Sequence, residues 1–159
     1  MFYSLYIAFI MLFFPILCII IEKSRWQSQS SLYELIGKWF IFWGIGIRLT
    51  TAGFSQVMNP SLTAGILHID PSAMIVIQEL GLANILFGII GVVSLKVSSI
   101  RWVATSGGFL MGMAGILHLS RITSETSFKE NIAMISDLWI FAIVLIYLYL
   151  NMNVREIVR

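Results

Sequence analysis

The sequence predicts an all-α integral membrane protein, a helical bundle of about five transmembrane helices in which an N-terminal helix joins a four-helix core. Two observations carry this expectation. Hydrophobic residues make up 58% of the 159 and charged residues only 11%, whereas soluble domains carry roughly a quarter charged residues. The apolar residues also fall in blocks of about 20, the length a helix needs to cross a hydrocarbon layer of about 30 Å. No alternating pattern runs long enough for the strands of a barrel, and no repeat of fixed period is visible.

Together the blocks form a single transmembrane domain over residues 1–159. Residues 2–21 form the first block, in which Pro15 predicts a kink. It has no basic residues ahead of the apolar run and no small-x-small cleavage site after it, so it reads as a retained helix rather than a signal peptide. A charged, Ser- and Gln-rich loop from Glu22 to Ser30 follows. The second helix, about residues 35–57, stops at the turn signal Asn59-Pro60. The third, about 72–95, starts after Asp70-Pro71, with Ser72 as an alternative cap. The fourth and fifth helices occupy about 102–119 and 132–150, and the polar segment Ser120 to Asn131 separates them.

Lys and Arg in the short loops set the orientation. With the N-terminus outside, the cytoplasmic face receives Lys23, Arg25, Lys38, Lys96, Arg101, Arg155 and Arg159, and the outer face only Arg121 and Lys129. This bias predicts a multi-pass protein of the cell membrane with its N-terminus outside and its C-terminus in the cytoplasm. The net charge of +2 is spread thinly, which argues against a nucleic-acid partner. The single cysteine, Cys18, excludes an intrachain disulfide and a CxxC redox pair. Trp26, Trp39 and Trp102 read as interfacial anchors.

Ionisable groups inside a span cost about 2.5 to 3.5 kcal/mol each on insertion scales, so each needs a partner or a purpose. Four stand out: Arg48, Glu79, His118 and Asp137. By helix rise, Arg48 and Glu79 lie about 13 Å and about 10 Å below the outer helix ends. Asp137 and His118 fall in the same outer half. These four residues, from four helices, are the candidate site, as a structural ion-pair set or as an outward-facing polar pocket that binds a ligand or handles a proton.

Small residues predict where helices pack. Gly44, Arg48, Thr51, Ala52 and Ser55 share one face of the second helix. Gly81, Asn84, Gly88 and Gly91 form a stripe on the third, with Glu79 almost opposite, an arrangement expected of a central helix packed on two faces. Ala104, Gly108 and Gly112 recur every four residues in the fourth.

Catalytic and cofactor signatures are missing. His68 and His118 lie in different segments with no HxxH or HxxxH pair, so no metal is expected. No GxSxG, GxGxxG or Walker lysine is present, and no cofactor is predicted.

The segment IRLTTAGFSQVMNP from Ile47, followed by QELGLANILFGIIGV, resembles the DoxX-like family of small, mostly four-span bacterial membrane proteins. The matching positions are Arg48, Gly53, Pro60, Glu79 and Gly88, and the resemblance extends from about Leu35 to Leu150. This chain differs in its extra N-terminal helix and in having Gln56 where the family often has a basic residue. The resemblance implies a bacterial inner-membrane helical bundle, and some members are linked to quinone-dependent sulfur oxidation or redox-stress complexes. The leading expectation is therefore an accessory or small-ligand-binding protein with an outer-leaflet polar pocket, more in keeping with a non-enzyme. Its expected partners are membrane lipids, a lipid-soluble ligand such as a quinone, and a membrane protein. The alternatives are a membrane subunit of a quinone-linked oxidoreductase and a small proton-coupled carrier, the latter disfavoured by the missing internal repeat.

Overall fold

The computed structural model describes residues 2–25, 29–67, 70–122 and 126–157. Trp26, His68 and Arg159 lie outside them. The chain is 90% helical, without strands among the described residues, as the apolar blocks predict, and forms a helical membrane bundle.

α1, Phe2–Ser24, contains a widened π-helical turn at Phe9–Phe13 just ahead of Pro15. Proline has no N–H to donate and its ring crowds the carbonyl four residues back; widening the turn before it relieves that conflict. The Phe14 N–H accordingly reaches the Phe9 carbonyl.

α2 is one continuous helix over residues 32–58, roughly 40 Å long by helix rise. A capping box starts it: Ser31 Oγ accepts the Glu34 N–H while the Glu34 carboxylate accepts the Ser31 N–H at 2.9 Å. Its middle, Ile41–Ile47, is also π-helical and ends directly at Arg48. The helix stops at Asn59, where φ is −143° and ψ 69°.

A further short helix, α3 at Pro60–Leu67, was not expected from the sequence. α4, Met74–Val93, follows a single 3₁₀ turn at Pro71–Ala73. Asp70 rather than Ser72 caps this start, since its Oδ1 accepts the Ser72 N–H at 2.8 Å. Hydrogen bonds from the Ser72 side chain and backbone hold the Asp70 carboxyl below the usual range. α5, Arg101–Ser120, and α6, Phe128–Ile157, complete the bundle.

α1, α4, α5 with its leading 3₁₀ turn, and α6 through Met152 are each long and apolar enough to cross a membrane. α2, interrupted by Lys38 and Arg48, is surrounded by the other four and packs on all of them. It, and not α4, is the central helix. Leu35, Ile41 and Ile45 of α2 are fully buried with Ile140 and Val144 of α6.

α2 and α4 approach until their backbones touch. A Cβ on Gly88 would strike the Thr50 backbone nitrogen and the Gly46 carbonyl, and one on Gly91 would strike the Gly46 backbone. Gly53 and Gly81 oppose each other in the same way. The small stripe of α5 also works within the chain: Gly108 receives Val144 and Gly112 receives Phe141.

At the end of the bundle away from Phe2, Lys38 Nζ donates to both carboxylate oxygens of Glu22 at 2.8 Å, and Trp39 Nε1 donates to Glu22 at 2.7 Å. Glu22, expected in a loop, is thus buried in the last turns of α1. Trp39 is buried as well and is no interfacial anchor. Glu22→Leu leaves the Lys38 charge and the Trp39 donor unpaired, and a loss of about 2–3 kcal/mol is expected. Thermal unfolding in a mild non-ionic detergent reads it directly.

Candidate functional site

Arg48 enters the core from the turn that closes the π-helical segment of α2. Its side chain and that of Asp137 are about nine-tenths buried, at 9% and 11% relative exposure. Arg48 Nη1 donates to Asp137 Oδ1, and Nη2 donates to Ser136 Oγ at 2.9 Å. The Met111 sulfur of α5 lies 3.7 Å from Nη1. Three helices therefore meet at one guanidinium, and the charge of Arg48 is matched inside a low-dielectric interior. α6 approaches closely here because α5 offers Gly115, where a Cβ would press on Asp137 and Leu138.

Tyr3 of α1 lies near the same guanidinium. One turn further along α1, the Tyr6 hydroxyl is hydrogen-bonded to Thr51 Oγ1. Gly44 and Arg48 of the polar face of α2 are buried as expected, whereas Thr51 is exposed and held by Tyr6. α1 is thus fastened to α2 near both ends, by Tyr3 and Tyr6 at one and Glu22 at the other.

A second polar pair lies nearer the Phe2 end. His118 Nδ1 is 3.0 Å from Glu130 Oε1. Ser127 caps α6 by accepting the Glu130 N–H at 3.1 Å. Glu130 precedes Asp137 by two helical turns, about 10 Å, so the α5–α6 seam carries polar groups from Ser127 down to Asp137. His118 therefore belongs to this column but its partner is Glu130 rather than Arg48.

Glu79 is the correction. It stands exposed on α4 beside Ile75, Val76 and Leu82, with no ion pair or hydrogen bond among the described residues. The reason is azimuthal: α4 turns its glycine stripe to α2, Asn84 donates to Gln56 Oε1 at 2.7 Å, and the opposite face stays outside. An exposed carboxylate within a span contributes nothing to the fold, so Glu79→Leu is expected to leave the unfolding temperature in detergent unchanged or slightly higher.

The column ends at an open cleft of about 580 Å³ lined by Phe2, Tyr3, Ser4, Gly65, Ile66, Ser127, Phe128 and Lys129. α1, α3 and α6 build it together. Tyr3 is shared: it lines the cleft and lies near Arg48. Gly65 forms part of the wall, and a Cβ there meets nothing within 4 Å. Sequence reading missed Tyr3, Ser136, Glu130 and the cleft itself; the Ser136-Asp137 pair inside an apolar run was the one signal available for any of them.

A family model matches residues 4–156, and the chain belongs to that family, a family of unknown function (DUF6790). No curated protein and no solved structure matches the chain.

Proposed function

We propose that this DUF6790 member is a multi-pass accessory protein of the cell membrane that binds a small lipid-soluble ligand from the outer leaflet. The supporting observation is the cleft, one of whose lining residues, Tyr3, lies near the buried Arg48–Asp137 pair. A pocket with apolar walls and a few convergent polar groups is the usual form of a small-molecule site. The orientation follows the Lys and Arg bias, which puts the cleft on the outer face and the Glu22–Lys38 lock on the cytoplasmic side. Arg48, Ser136 and Asp137 form the polar group behind Tyr3, the His118–Glu130 pair lies on the same α5–α6 seam, and Glu79 lies outside the site.

The ligand's polar head meets Tyr3 first, and displacement of the Tyr3 ring opens the guanidinium to it. A quinone carbonyl suits those two donors, and the DoxX-like resemblance points toward the same ligand class. In that case the protein serves a quinone-linked oxidoreductase as a membrane subunit, and a redox partner supplies the electrons.

Filling the cleft tests the reading. Gly65→Trp projects into open space, so the fold is expected to survive while ligand binding is lost. The probe is a short-chain quinone titrated onto the purified chain, with bound molecules counted by native mass spectrometry. Equal binding by the wild type and Gly65→Trp contradicts the assignment of the cleft.

A further inference from the structure

The charge of the cleft is one-sided. Lys129 stands exposed on its rim with no ion pair or hydrogen bond among the described residues, and no carboxylate lines it. Glu130, the nearest acid in sequence, is turned to His118. Deeper in, the Arg48 charge is already matched by Asp137. Ser4 and Ser127 add hydroxyls to the lining. The rim is also apolar: Phe2 is 84% and Phe128 71% exposed, a composition that attracts a membrane amphiphile rather than a free ion.

About one turn along α1 from Ser4, a separate apolar groove of about 440 Å³ begins at Ala8 and runs along the helix past Phe9, Leu12, Phe13 and Ile16 to Ile20. From Ala8 to Ile20 it covers about 18 Å by helix rise, somewhat more than the depth of about 15 Å of one leaflet in a hydrocarbon core about 30 Å thick.

We infer that the cleft takes an acidic membrane lipid, its phosphate or carboxylate headgroup against Lys129 and its acyl chain along the apolar groove of α1. This inference rests on the ligand-binding reading above and names the chemistry of the ligand. A zwitterionic headgroup is disfavoured because its own cation meets an ammonium with no acid among the described lining residues to offset it. Free phosphate is disfavoured because it leaves the two exposed aromatic rings uncovered.

The test uses the full chain in mild detergent, titrated separately with phosphatidylglycerol, phosphatidylcholine, a short-chain quinone and inorganic phosphate. Bound molecules are counted by native mass spectrometry, and the unfolding temperature is followed in parallel. Phosphatidylglycerol is expected to bind about tenfold more tightly than phosphatidylcholine, the size of one charge-assisted contact. Lys129→Gln should bring the two lipids level, and Gly65→Trp should abolish binding. Lys129 is exposed, so its substitution leaves the fold intact and keeps the test valid even if Gly65→Trp folds poorly.

Equal affinity for the two lipids, or no change in Lys129→Gln, overturns the anionic assignment. Inorganic phosphate binding as tightly as phosphatidylglycerol overturns the lipid as its source. If phosphatidylglycerol fails while a quinone binds in a Gly65-dependent way, the acidic class falls and the cleft remains a ligand site. Binding of every probe that ignores Gly65→Trp removes both.

Discussion

Asp137→Leu is expected to destabilise the protein by about 3–5 kcal/mol, because it leaves the Arg48 guanidinium buried without its anion. Among the described residues Arg48 has no alternative counter-ion: Ser136 and Met111 are its other hydrogen-bond partners and Tyr3 lies nearby, and all three are neutral. The converse change, Arg48→Met, should cost less. An unpaired carboxyl can be neutralised by a proton, whereas a guanidinium cannot shed one. The double variant Arg48→Met/Asp137→Leu should recover most of the loss, since replacing a whole buried pair by apolar groups of similar volume is often neutral. Equilibrium unfolding of all three in the same detergent gives the coupling between the residues as a double-mutant cycle. Near-additive losses mean the pair does not exist as described. The double variant also separates fold from function, because it should remain folded yet bind ligand poorly.

Gly88→Val is the second large effect, expected to cost about 3 kcal/mol or more or to prevent folding. The new side chain meets the Thr50 hydroxyl and also backbone, the Thr50 nitrogen and the Gly46 carbonyl, which cannot turn aside as a side chain can. α2 and α4 must then separate along their whole contact, including Gly46–Gly91 and Gly53–Gly81. Gly112→Ala provides a graded comparison, since the nearest atoms to its Cβ all belong to the Phe141 side chain, and a smaller loss is expected. Gly65→Ala, whose Cβ meets nothing, should be neutral. Unfolding temperatures ranked Gly65→Ala, Gly112→Ala, Gly88→Val from highest to lowest fit this packing; a Gly88→Val variant as stable as the wild type refutes it.

The bundle was legible because lipid leaves few solutions: a backbone without water must satisfy its own hydrogen bonds, and apolar blocks about 20 residues long betray that need. Arg48 and Asp137 were legible for the same reason, since a charge in such a block is rare and demands a partner. Depth along a helix follows from counting, and it put Glu79 at the level of the others. Azimuth does not follow from counting. The glycine stripe opposite Glu79 already indicated which face of α4 would be buried, and the assumption of two packed faces set that signal aside. Glu22 was misread because a charged residue after an apolar run looks like the start of a loop, and only Lys38 and Trp39, on another helix, make it a buried residue. α3 went unseen because eight residues between two turn signals are too few for a periodicity to register. The cleft depends on how α1, α3 and α6 come together, which no local pattern encodes.

The most direct measurement of the account is the reactivity of Gly65→Cys, in a Cys18→Ser background, toward a membrane-impermeant maleimide applied to intact cells. An open cleft on the outer face predicts rapid labelling without permeabilisation, slowed when the ligand is present. No labelling even in permeabilised cells would show the cleft to be closed, and labelling only after permeabilisation would put it on the cytoplasmic side; either result contradicts the proposal.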